Sequence, residues 1–319
     1  MKTLKTYLNK KDILSLQDLS SEEILLILKV ARRLKKEYCN GKSSRLLKGK
    51  VLAMIFQKPS TRTRISFESG ILQLGGNAIY LGANDIQLSR GETIEDTARA
   101  LSLYTNCIVA RFYDHADIEK LAVAASVPVI NGLSGTFHPC QILADLLTVY
   151  EHKKVLKGLN IAWIGDGNNV CNDLILGCAK TGVSLKVACP KNYQPIGEII
   201  RLAELEGEKT GSEIIITDDP SFAAKDADAV VTDTFISMGK DEEKITRQIA
   251  FLPKYQVNSD LMKLAKKDVI FMHCLPAIRG QEVTSEVIDG KSSVIWFEAE
   301  NRLHVQKALL SMIIPHKNN

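Results

Sequence analysis

The sequence predicts an α/β protein of two domains, each a parallel β-sheet flanked by helices. The chain has 319 residues, which suits two domains of roughly 150 residues each. In both halves short apolar runs alternate with stretches of helical apolar spacing, a pattern typical of parallel sheets with crossover helices. Polar clusters follow several of the apolar runs. Because ligands bind at the carboxyl ends of parallel strands, we expect the functional site there.

The predicted domain boundary lies in the lysine-rich stretch 153–158. We predict a first domain over residues 1–153 and a second over residues 154–319. A C-terminal helix at 300–316 is expected to pack back on the first domain. We find no internal repeat and no low-complexity tract.

In the first half, Ser20 and Glu23 have the spacing of a capping box and predict a helix that ends near Gly41. A long polar connection at 82–92 is predicted to be functional or mobile. Thr93 is predicted to cap the helix that follows it. The remaining predicted elements of this half are strands over 51–56, 77–81, 108–112 and 127–132 and helices that begin after Pro59 and near Pro139.

The second half restarts the same alternation. An apolar segment at 293–297 is too short to assign. The predicted elements are strands over 160–164, 184–189, 213–217, 229–232 and 268–272 and helices over 170–181, 198–205 and 300–314.

Composition limits the classes of function. Apolar residues make up 45% of the chain, charged residues 24%, and the formal net charge is +4. No basic run is interleaved with aromatic residues, so nucleic-acid binding is not indicated. The seven cysteines form no CxxC pair, which indicates reduced thiols. Residues 1–20 lack the apolar core of a signal peptide, and no apolar run approaches about 18 residues. These features predict a soluble, cytoplasmic protein without a membrane partner.

The segment 57–64 predicts an anion site. It joins an apolar strand to a helix, whose first turn offers backbone N–H groups and the positive end of the helix dipole. The alternative is a capped, solvated helix start that binds nothing. Hydroxyl and guanidinium groups in the segment favour a phosphate ligand, and they belong to Ser60, Thr61, Arg62, Thr63 and Arg64.

His138 and Gln141 lie three residues apart at a second predicted helix start, so both can point into one cleft. A satisfied buried histidine is the alternative for His138. Arg111 lies near a strand end and Arg302 near a helix start, where the cleft is expected. Solvated surface positions are the alternative for both arginines.

Gly165-Asp166-Gly167 invites a dinucleotide-binding interpretation, but Val170 stands where the third glycine of that fingerprint belongs. The competing hypothesis is that Asn168 and Asn169 present amides to a ligand, and an asparagine-capped turn without a ligand is also open.

His273 and Cys274 lack a second pair with zinc-ligand spacing, so no structural metal site is predicted. Cys274 is predicted to be a buried structural thiol or a polar contact in the cleft. No neighbouring base in the sequence would make it a covalent nucleophile.

Four clusters in both halves resemble the aspartate/ornithine carbamoyltransferase family. The resemblance favours an ornithine-specific member, because aspartate-specific members carry a Pro-Leu-Pro-Arg type segment at 274–277 and a lysine at Gln87. Ser237-Met238-Gly239 favours ornithine over acetylornithine or putrescine. The four clusters are Ser60-Thr61-Arg62-Thr63-Arg64, His138-Pro139-Cys140-Gln141, Asp233 through Gly239, and His273-Cys274-Leu275-Pro276.

The resemblance implies transfer of the carbamoyl group from carbamoyl phosphate to the δ-amine of L-ornithine, giving L-citrulline and phosphate in arginine metabolism. Carbamoylation of putrescine, acetylornithine or aspartate is the alternative, and a dehydrogenase or a non-enzymatic anion-binding protein are more distant ones. The resemblance also implies no cofactor, no metal and a homotrimer whose active sites lie between subunits, with the loop at Gln87 reaching a neighbour's site.

The same resemblance implies roles for individual residues. The expected catalytic residues are Arg111, His138, Asp233 and Cys274. The expected carbamoyl-phosphate-binding residues are Ser60, Thr61, Arg62, Thr63, Gln87, Arg111, His138, Gln141, Leu275 and Arg302. The expected ornithine-binding residues are Asn169, Asp233, Ser237, Met238 and Cys274.

Overall fold

Two separate parallel sheets organise the chain, one of four strands and one of five. A computed structural model describes residues 7–8, 10–42, 44–236 and 241–315. Every strand pairing within the two sheets is parallel, and helices connect the strands. The predicted α/β class with two parallel sheets is therefore confirmed. The chain divides into two compact units, Met1–Ala144 with Glu300–Asn319 and Asp145–Ala299. We call them unit 1 and unit 2.

The sheet of unit 1 has the strand order β2-β1-β3-β4. Four helices of this unit begin at the capping side chains of Ser20, Ser60, Thr93 and Asp114, as the sequence predicts for Ser20 and Thr93. Its strands are β1 (Val51–Phe56), β2 (Asn77–Gly82), β3 (Cys107–Arg111) and β4 (Val129–Leu133), and its helices are α1 (Ser21–Cys39), α2 (Thr61–Gln73), α3 (Ile94–Tyr104) and α4 (His115–Ala124), followed by α5 (Pro139–Lys153), within which the boundary with unit 2 falls.

The sheet of unit 2 has the order β7-β6-β5-β8-β9. Its strands are β5 (Asn160–Ile164), β6 (Ser184–Ala188), β7 (Ile214–Thr217), β8 (Ala229–Thr232) and β9 (Ile270–His273). Its helices are α6 (Asn169–Thr181), α7 (Gly197–Thr210), α8 (Pro220–Ala224), α9 (Lys244–Phe251), α10 (Ser259–Lys263) and α11 (Ser285–Ile288), and α12 (Ile295–Ile313) returns the chain to unit 1.

Each sheet has its own apolar core. In unit 1, β1 and β3 are the two central strands. Every residue of β3 is buried, and so is every residue of β1 after the first. A cluster around Ile55, Ile108 and Phe112 fills one face of this sheet. In unit 2 a second cluster surrounds Phe235 and Phe251, whose rings stack 4.6 Å apart. Burial of apolar side chains on both faces explains why the central strands are continuous apolar runs.

The polar connection at 82–92 contains the short 3₁₀ helices Ala83–Asp85 and Gln87–Arg90. One predicted element needs correction. The last helix begins at Ile295, five residues before the predicted start at Glu300. Trp296 and Phe297 lie in its first turn yet are more than half exposed, so the apolar segment at 293–297 had no core-facing stripe to mark a helix start. No helix within the described ranges combines the length and apolarity that crossing a membrane requires.

His304 links the stability of unit 1 to pH. Its imidazole is buried on α12, and burial lowers its pKa from 6.5 to about 4, with the charge of Lys35 as a further cause and Glu300 opposing it. The unfolded chain therefore binds a proton between pH 6.5 and 4 that the folded chain does not bind, so stability is lost as pH falls through that window.

We expect His304→Gln to remove this dependence. Between pH 7 and pH 4.5, the unfolding free energy of the wild type should fall by about 2–3 kcal/mol more than that of the variant, at about 1.4 kcal/mol per pKa unit. Urea unfolding at the two pH values measures the difference. Equal losses in both proteins would contradict this account.

Candidate active site

The turn between β1 and α2 forms a helix start with the donors of an anion site. Ser60 has extended backbone dihedrals, and its Oγ accepts a hydrogen bond from the Thr63 N–H at 3.2 Å. The other first-turn N–H groups of α2 and its positive dipole end are thereby presented at one place. Thr61 is exposed and Arg62 is half-buried at this helix start. The sequence Pro59-Ser60 ends the strand and precedes a helix, as predicted, and Ser60 is the residue that caps the helix.

Thr63, Gln141 and Arg302 form one buried network in unit 1. The Arg302 guanidinium donates to Gln141 Oε1 at 2.6 Å and to Thr63 Oγ1 at 3.0 Å. Ser60 Oγ also donates to Thr63 Oγ1, at 3.1 Å. With two bonds accepted, the Thr63 hydroxyl keeps its proton for a third partner. A buried, charged hydrogen-bond donor set of this kind suits an oxyanion.

Arg111 joins the helix start because strand register puts it there. It is the last residue of β3, it pairs with Phe56 at the end of β1, and it is buried. Its Nε donates to the Lys58 carbonyl at 3.2 Å, and its own carbonyl accepts the Gln57 N–H at 2.9 Å. The guanidinium is therefore fixed beside the turn that precedes α2.

His138 lies in the same positively charged region. Burial lowers its pKa well below the usual value, and the charges of Arg302, Arg111 and Arg62 lower it further. The imidazole is therefore neutral at pH 7, when it has one N–H to donate. The Gln141 N–H donates to the His138 carbonyl at 3.0 Å, so His138 directly precedes α5 and Gln141 lies in its first turn.

Two other predicted binding groups of unit 1 stand apart. The Arg64 Cζ atom lies 3.8 Å from the centre of the Tyr80 ring. Arg64 also pairs with Glu68, and both of these charged side chains are partly exposed. Gln87 is exposed in its 3₁₀ helix. The structure thus gathers Ser60, Thr63, Arg111, His138, Gln141 and Arg302, with the charge of Arg62 acting at His138.

In unit 2 the polar cluster centres on Asp233, directly after β8. Its Oδ1 accepts the Thr234 N–H at 2.7 Å and the Cys274 thiol at 3.1 Å, and its Oδ2 accepts Asn168 Nδ2 at 2.8 Å. Asn168 is also the cap of α6, because its Oδ1 accepts the N–H groups of Val170 and Cys171. A carboxylate has about four lone-pair sites, and donors from the described part of the chain occupy three of them, which leaves one acceptor position for a cation.

Cys274 and Leu275 form the turn that follows β9. Burial and the charge of Asp233 raise the pKa of the Cys274 thiol well above its usual value, which keeps it protonated and a poor nucleophile. Leu275 has φ of 59°. A left-handed conformation at a non-glycine residue costs about 1–2 kcal/mol, so neighbouring contacts must hold it.

Asp233, His273 and Cys274 place one potential metal-binding atom each within 4.8 Å of one another. However, both His273 nitrogens have hydrogen-bond partners, the Leu275 N–H at 2.9 Å and Glu282 at 3.2 Å. The thiol is also held in its protonated form. This trio fits a hydrogen-bonded cluster better than a preformed set of metal ligands.

Gly167, in the turn after β5, allows two segments of the chain to pack closely against each other. A Cβ at Gly167 would lie 2.3 Å from the Pro195 nitrogen, so the close approach here is to the protein's own backbone. This weakens the dinucleotide interpretation, in which the glycine makes room for a pyrophosphate. Asn169 is half-buried at the first position of α6. Ser237 and Met238, the other two residues expected at ornithine, lie outside the described residues.

Sequence reasoning missed a buried arginine near this cluster. Arg247, on α9, donates to the Phe235 carbonyl at 2.6 Å and pairs with Asp166. Its guanidinium also lies 4.6 Å from the centre of the Tyr193 ring. Arg247 thereby ties the segment after β8 to the turn after β5. Arg247 also pairs with Glu243 four positions earlier, but the contacts that tie the two segments together are to residues 12 and 81 positions away, which no local motif marks.

Comparison with known proteins assigns both units to one family. The model described as "Aspartate/ornithine carbamoyltransferase, carbamoyl-P binding domain" matches residues 11–151. The model described as "Aspartate/ornithine carbamoyltransferase, Asp/Orn binding domain" matches residues 157–313. This chain belongs to the aspartate/ornithine carbamoyltransferase family.

Proteins named ornithine carbamoyltransferase match this chain over nearly its full length. The chain is 53% identical over 307 residues to the ornithine carbamoyltransferase of Pyrococcus abyssi, covering 96% of both proteins. It is 52% identical over 304 residues to the protein of Pyrococcus furiosus named "Ornithine carbamoyltransferase, anabolic", covering 95% of this chain and 96% of the relative. The solved structure of the Pyrococcus furiosus ornithine carbamoyltransferase matches with a TM-score of 0.93, covering 95% of this chain and 97% of that one.

Proposed function

We propose that this protein is an ornithine carbamoyltransferase, which transfers the carbamoyl group of carbamoyl phosphate to the δ-amine of L-ornithine and releases L-citrulline and phosphate. One observation carries the proposal. The buried Arg302 guanidinium joins Thr63, at the capped start of α2, to Gln141 in the first turn of α5. Arg111 is fixed beside the same turn, and the buried His138 directly precedes α5. A dianionic ligand with a polarisable carbonyl matches that combination of positive charge and hydrogen-bond donors.

In this proposal the phosphate of carbamoyl phosphate binds the start of α2, at Ser60, Thr61, Arg62 and Thr63, with Arg111 beside it. The carbonyl oxygen gains charge as the amine attacks. Thr63, Arg111 and neutral His138 donate to it, and preorganised donors of this kind stabilise the transition state more than the ground state. Gln141 Oε1 and the backbone carbonyls of Leu275 and Arg302 accept hydrogen bonds from the carbamoyl NH₂ group. Gln87 of a neighbouring subunit completes the phosphate site.

In unit 2 we propose that Asp233 binds the α-ammonium group of ornithine through its remaining acceptor position. Ser237 and Met238 are proposed to line the same subsite, and Asn169 to donate to the carboxylate. Cys274 is proposed to lie near the attacking nitrogen as a hydrogen-bonding thiol, in keeping with its raised pKa. The three donors that already fix Asp233 support this assignment, because they hold its carboxylate in one orientation.

The chemistry needs no covalent enzyme intermediate. The neutral δ-amine forms the C–N bond, the tetrahedral centre collapses, and the C–O bond to phosphate breaks with its electrons on the phosphate oxygen. A free alkyl amine has a pKa near ~10.4, so the site must select the small neutral fraction. The nitrogen's surplus proton passes to the departing phosphate. Positioning and charge stabilisation then supply most of the acceleration.

A panel of amines tests the proposal. Purified protein is incubated with carbamoyl phosphate and, separately, ornithine, acetylornithine, putrescine or aspartate, and the ureido product and phosphate are quantified. We expect equimolar citrulline and phosphate from ornithine and far slower reaction with the other three. Faster product formation from another amine would identify a sister activity, and no product from any amine would reject the enzyme assignment.

We further propose that the protein acts in the cytoplasm as a homotrimer. Exposed apolar side chains on α2 and the edge strand β2 support self-association, because contact with another copy of the chain would remove their apolar surface from water. They include Ile65, Leu72 and Ile79. Light scattering on the eluted protein should give three times 35.3 kDa, about 106 kDa. A mass of a single chain at micromolar concentration would contradict the trimer.

A further inference from the structure

A buried histidine–carboxylate pair lies beneath the turn at 274–276 and has no role in the chemistry proposed above. The side chains of His273 and Glu282 are both fully buried, and His273 Nε2 lies 3.2 Å from Glu282 Oε1. The other ring nitrogen, Nδ1, accepts the Leu275 N–H at 2.9 Å. The pair therefore reaches the left-handed residue of the turn through a single hydrogen bond.

The contacts define the protonation of the ring. The Leu275 N–H is a donor, so Nδ1 must be unprotonated to accept it. In a neutral imidazole the proton then sits on Nε2, where the Glu282 carboxylate accepts it. The same carboxylate oxygen accepts the Ile278 N–H at 2.5 Å. A carboxylate that accepts a hydrogen bond from one ring nitrogen fixes both the tautomer and the orientation of a histidine ring.

Backbone contacts hold both members of the pair in place. The His273 N–H donates to Glu298 Oε2 at 2.8 Å, and His273 pairs with Thr232 in the sheet register. The Glu282 carbonyl accepts the Val257 N–H at 2.9 Å. Because the backbone is fixed at both His273 and Glu282, the hydrogen bond between their side chains holds the turn between these two residues in one position.

We propose that His273 and Glu282 are positioning residues for the carbamoyl transfer: Glu282 fixes the His273 tautomer, and His273 Nδ1 holds the Leu275 peptide in its left-handed conformation. That conformation sets the direction of the Leu275 backbone and the place of the Cys274 thiol on Asp233. Neither member of the pair touches substrate. This inference rests on the proposed function of the turn.

Two substitutions of His273 separate the parts of the ring. An asparagine side chain offers an oxygen near the place of Nδ1 and can still accept the Leu275 N–H, whereas a glutamine side chain reaches the place of Nε2 and leaves that N–H without its acceptor. We expect His273→Gln to lower kcat by about 10²-fold, the scale of a misplacement of about 1 Å. His273→Asn should stay within about tenfold of the wild type. KM for both substrates should change less than kcat in both variants.

Two substitutions of Glu282 provide an independent test. Glu282→Gln keeps an oxygen that can accept from both His273 Nε2–H and the Ile278 N–H, so it should recover most of the activity that Glu282→Leu loses. Thermal unfolding of every variant separates lost positioning from lost folding. If His273→Gln and His273→Asn, both folded, lose activity equally, the positioning role is wrong. Wild-type protein that makes no citrulline would instead reject the function on which the inference rests.

A measurement on the wild-type protein needs no variant. The ¹⁵N chemical shifts of histidine ring nitrogens report which nitrogen carries the proton, and through-bond correlations assign the signals of the six histidines. We expect a protonated Nε2 and an unprotonated Nδ1 for His273 at pH 7. An Nδ1–H tautomer or a doubly protonated ring would overturn the proposal whatever the variants do.

Discussion

Replacing Arg111 with methionine is expected to lower kcat/KM for carbamoyl phosphate by about 10³-fold or more. The guanidinium is fixed by its bond to the Lys58 carbonyl, and we propose that it contacts both the phosphate and the carbonyl oxygen of the ligand. Loss of one preorganised oxyanion donor costs about 10²–10³ in turnover, and Arg111→Met also removes a positive charge from the anion site. Steady-state kinetics with carbamoyl phosphate varied at saturating ornithine measure the effect.

The charge and the geometry of Arg111 can be separated. Arg111→Lys keeps the positive charge but loses the planar donor fork, so we expect a smaller loss of about 10²-fold. Arg111→Met also removes one of the charges that lower the His138 pKa, so the acid limb of its kcat/KM profile should move to higher pH. Arg99→Met is the matched control, because Arg99 is exposed and pairs with Asp96 at the surface. A loss with Arg99→Met similar to that with Arg111→Met would contradict the assignment.

Local patterns in the sequence were sufficient to predict the elements that position the site. An apolar run followed by Pro59-Ser60 predicts a buried strand, a turn and a helix start, and all three are found. The physics of these features is local, since a cap bonds an N–H three residues away and a buried strand needs only apolar neighbours. The same reasoning set the first turn of α5 at Pro139.

Contacts between distant segments could not be predicted in this way. Arg302 bonds Thr63 across 239 positions and Gln141 across 161, and Asn168 bonds Asp233 across 65. Such pairs depend on how strands are ordered and how helices pack, which no short pattern records. Asn168 was recognised as a possible cap, but its second role as a donor to Asp233 follows only from the neighbouring positions of β5 and β8 in the sheet.

We expect Asp233→Asn to lower kcat/KM for ornithine by about 10²–10³-fold while the KM for carbamoyl phosphate changes by less than about threefold. The carboxylate is buried, and a hydrogen bond to a charged partner contributes about 1.5–3 kcal/mol, with larger losses when a buried charge pair is broken. Asparagine also adds a donor where only acceptors fit. Its amide would face Asn168 Nδ2, which cannot accept, and Asn168 Oδ1 is engaged by the first turn of α6.

Asp219→Asn provides the matched control for that change. Asp219 lies in the same unit, is exposed, and caps α8 through bonds from Ser221 and Phe222, and asparagine caps a helix about as well as aspartate does. Its kinetics should match those of the wild type. Isothermal titration of each variant with ornithine in the presence of a non-reactive phosphonate analogue of carbamoyl phosphate separates binding from turnover. An ionic contact with the α-ammonium group requires the carboxylate charge, so normal ornithine affinity in Asp233→Asn would show that Asp233 does not bind that group.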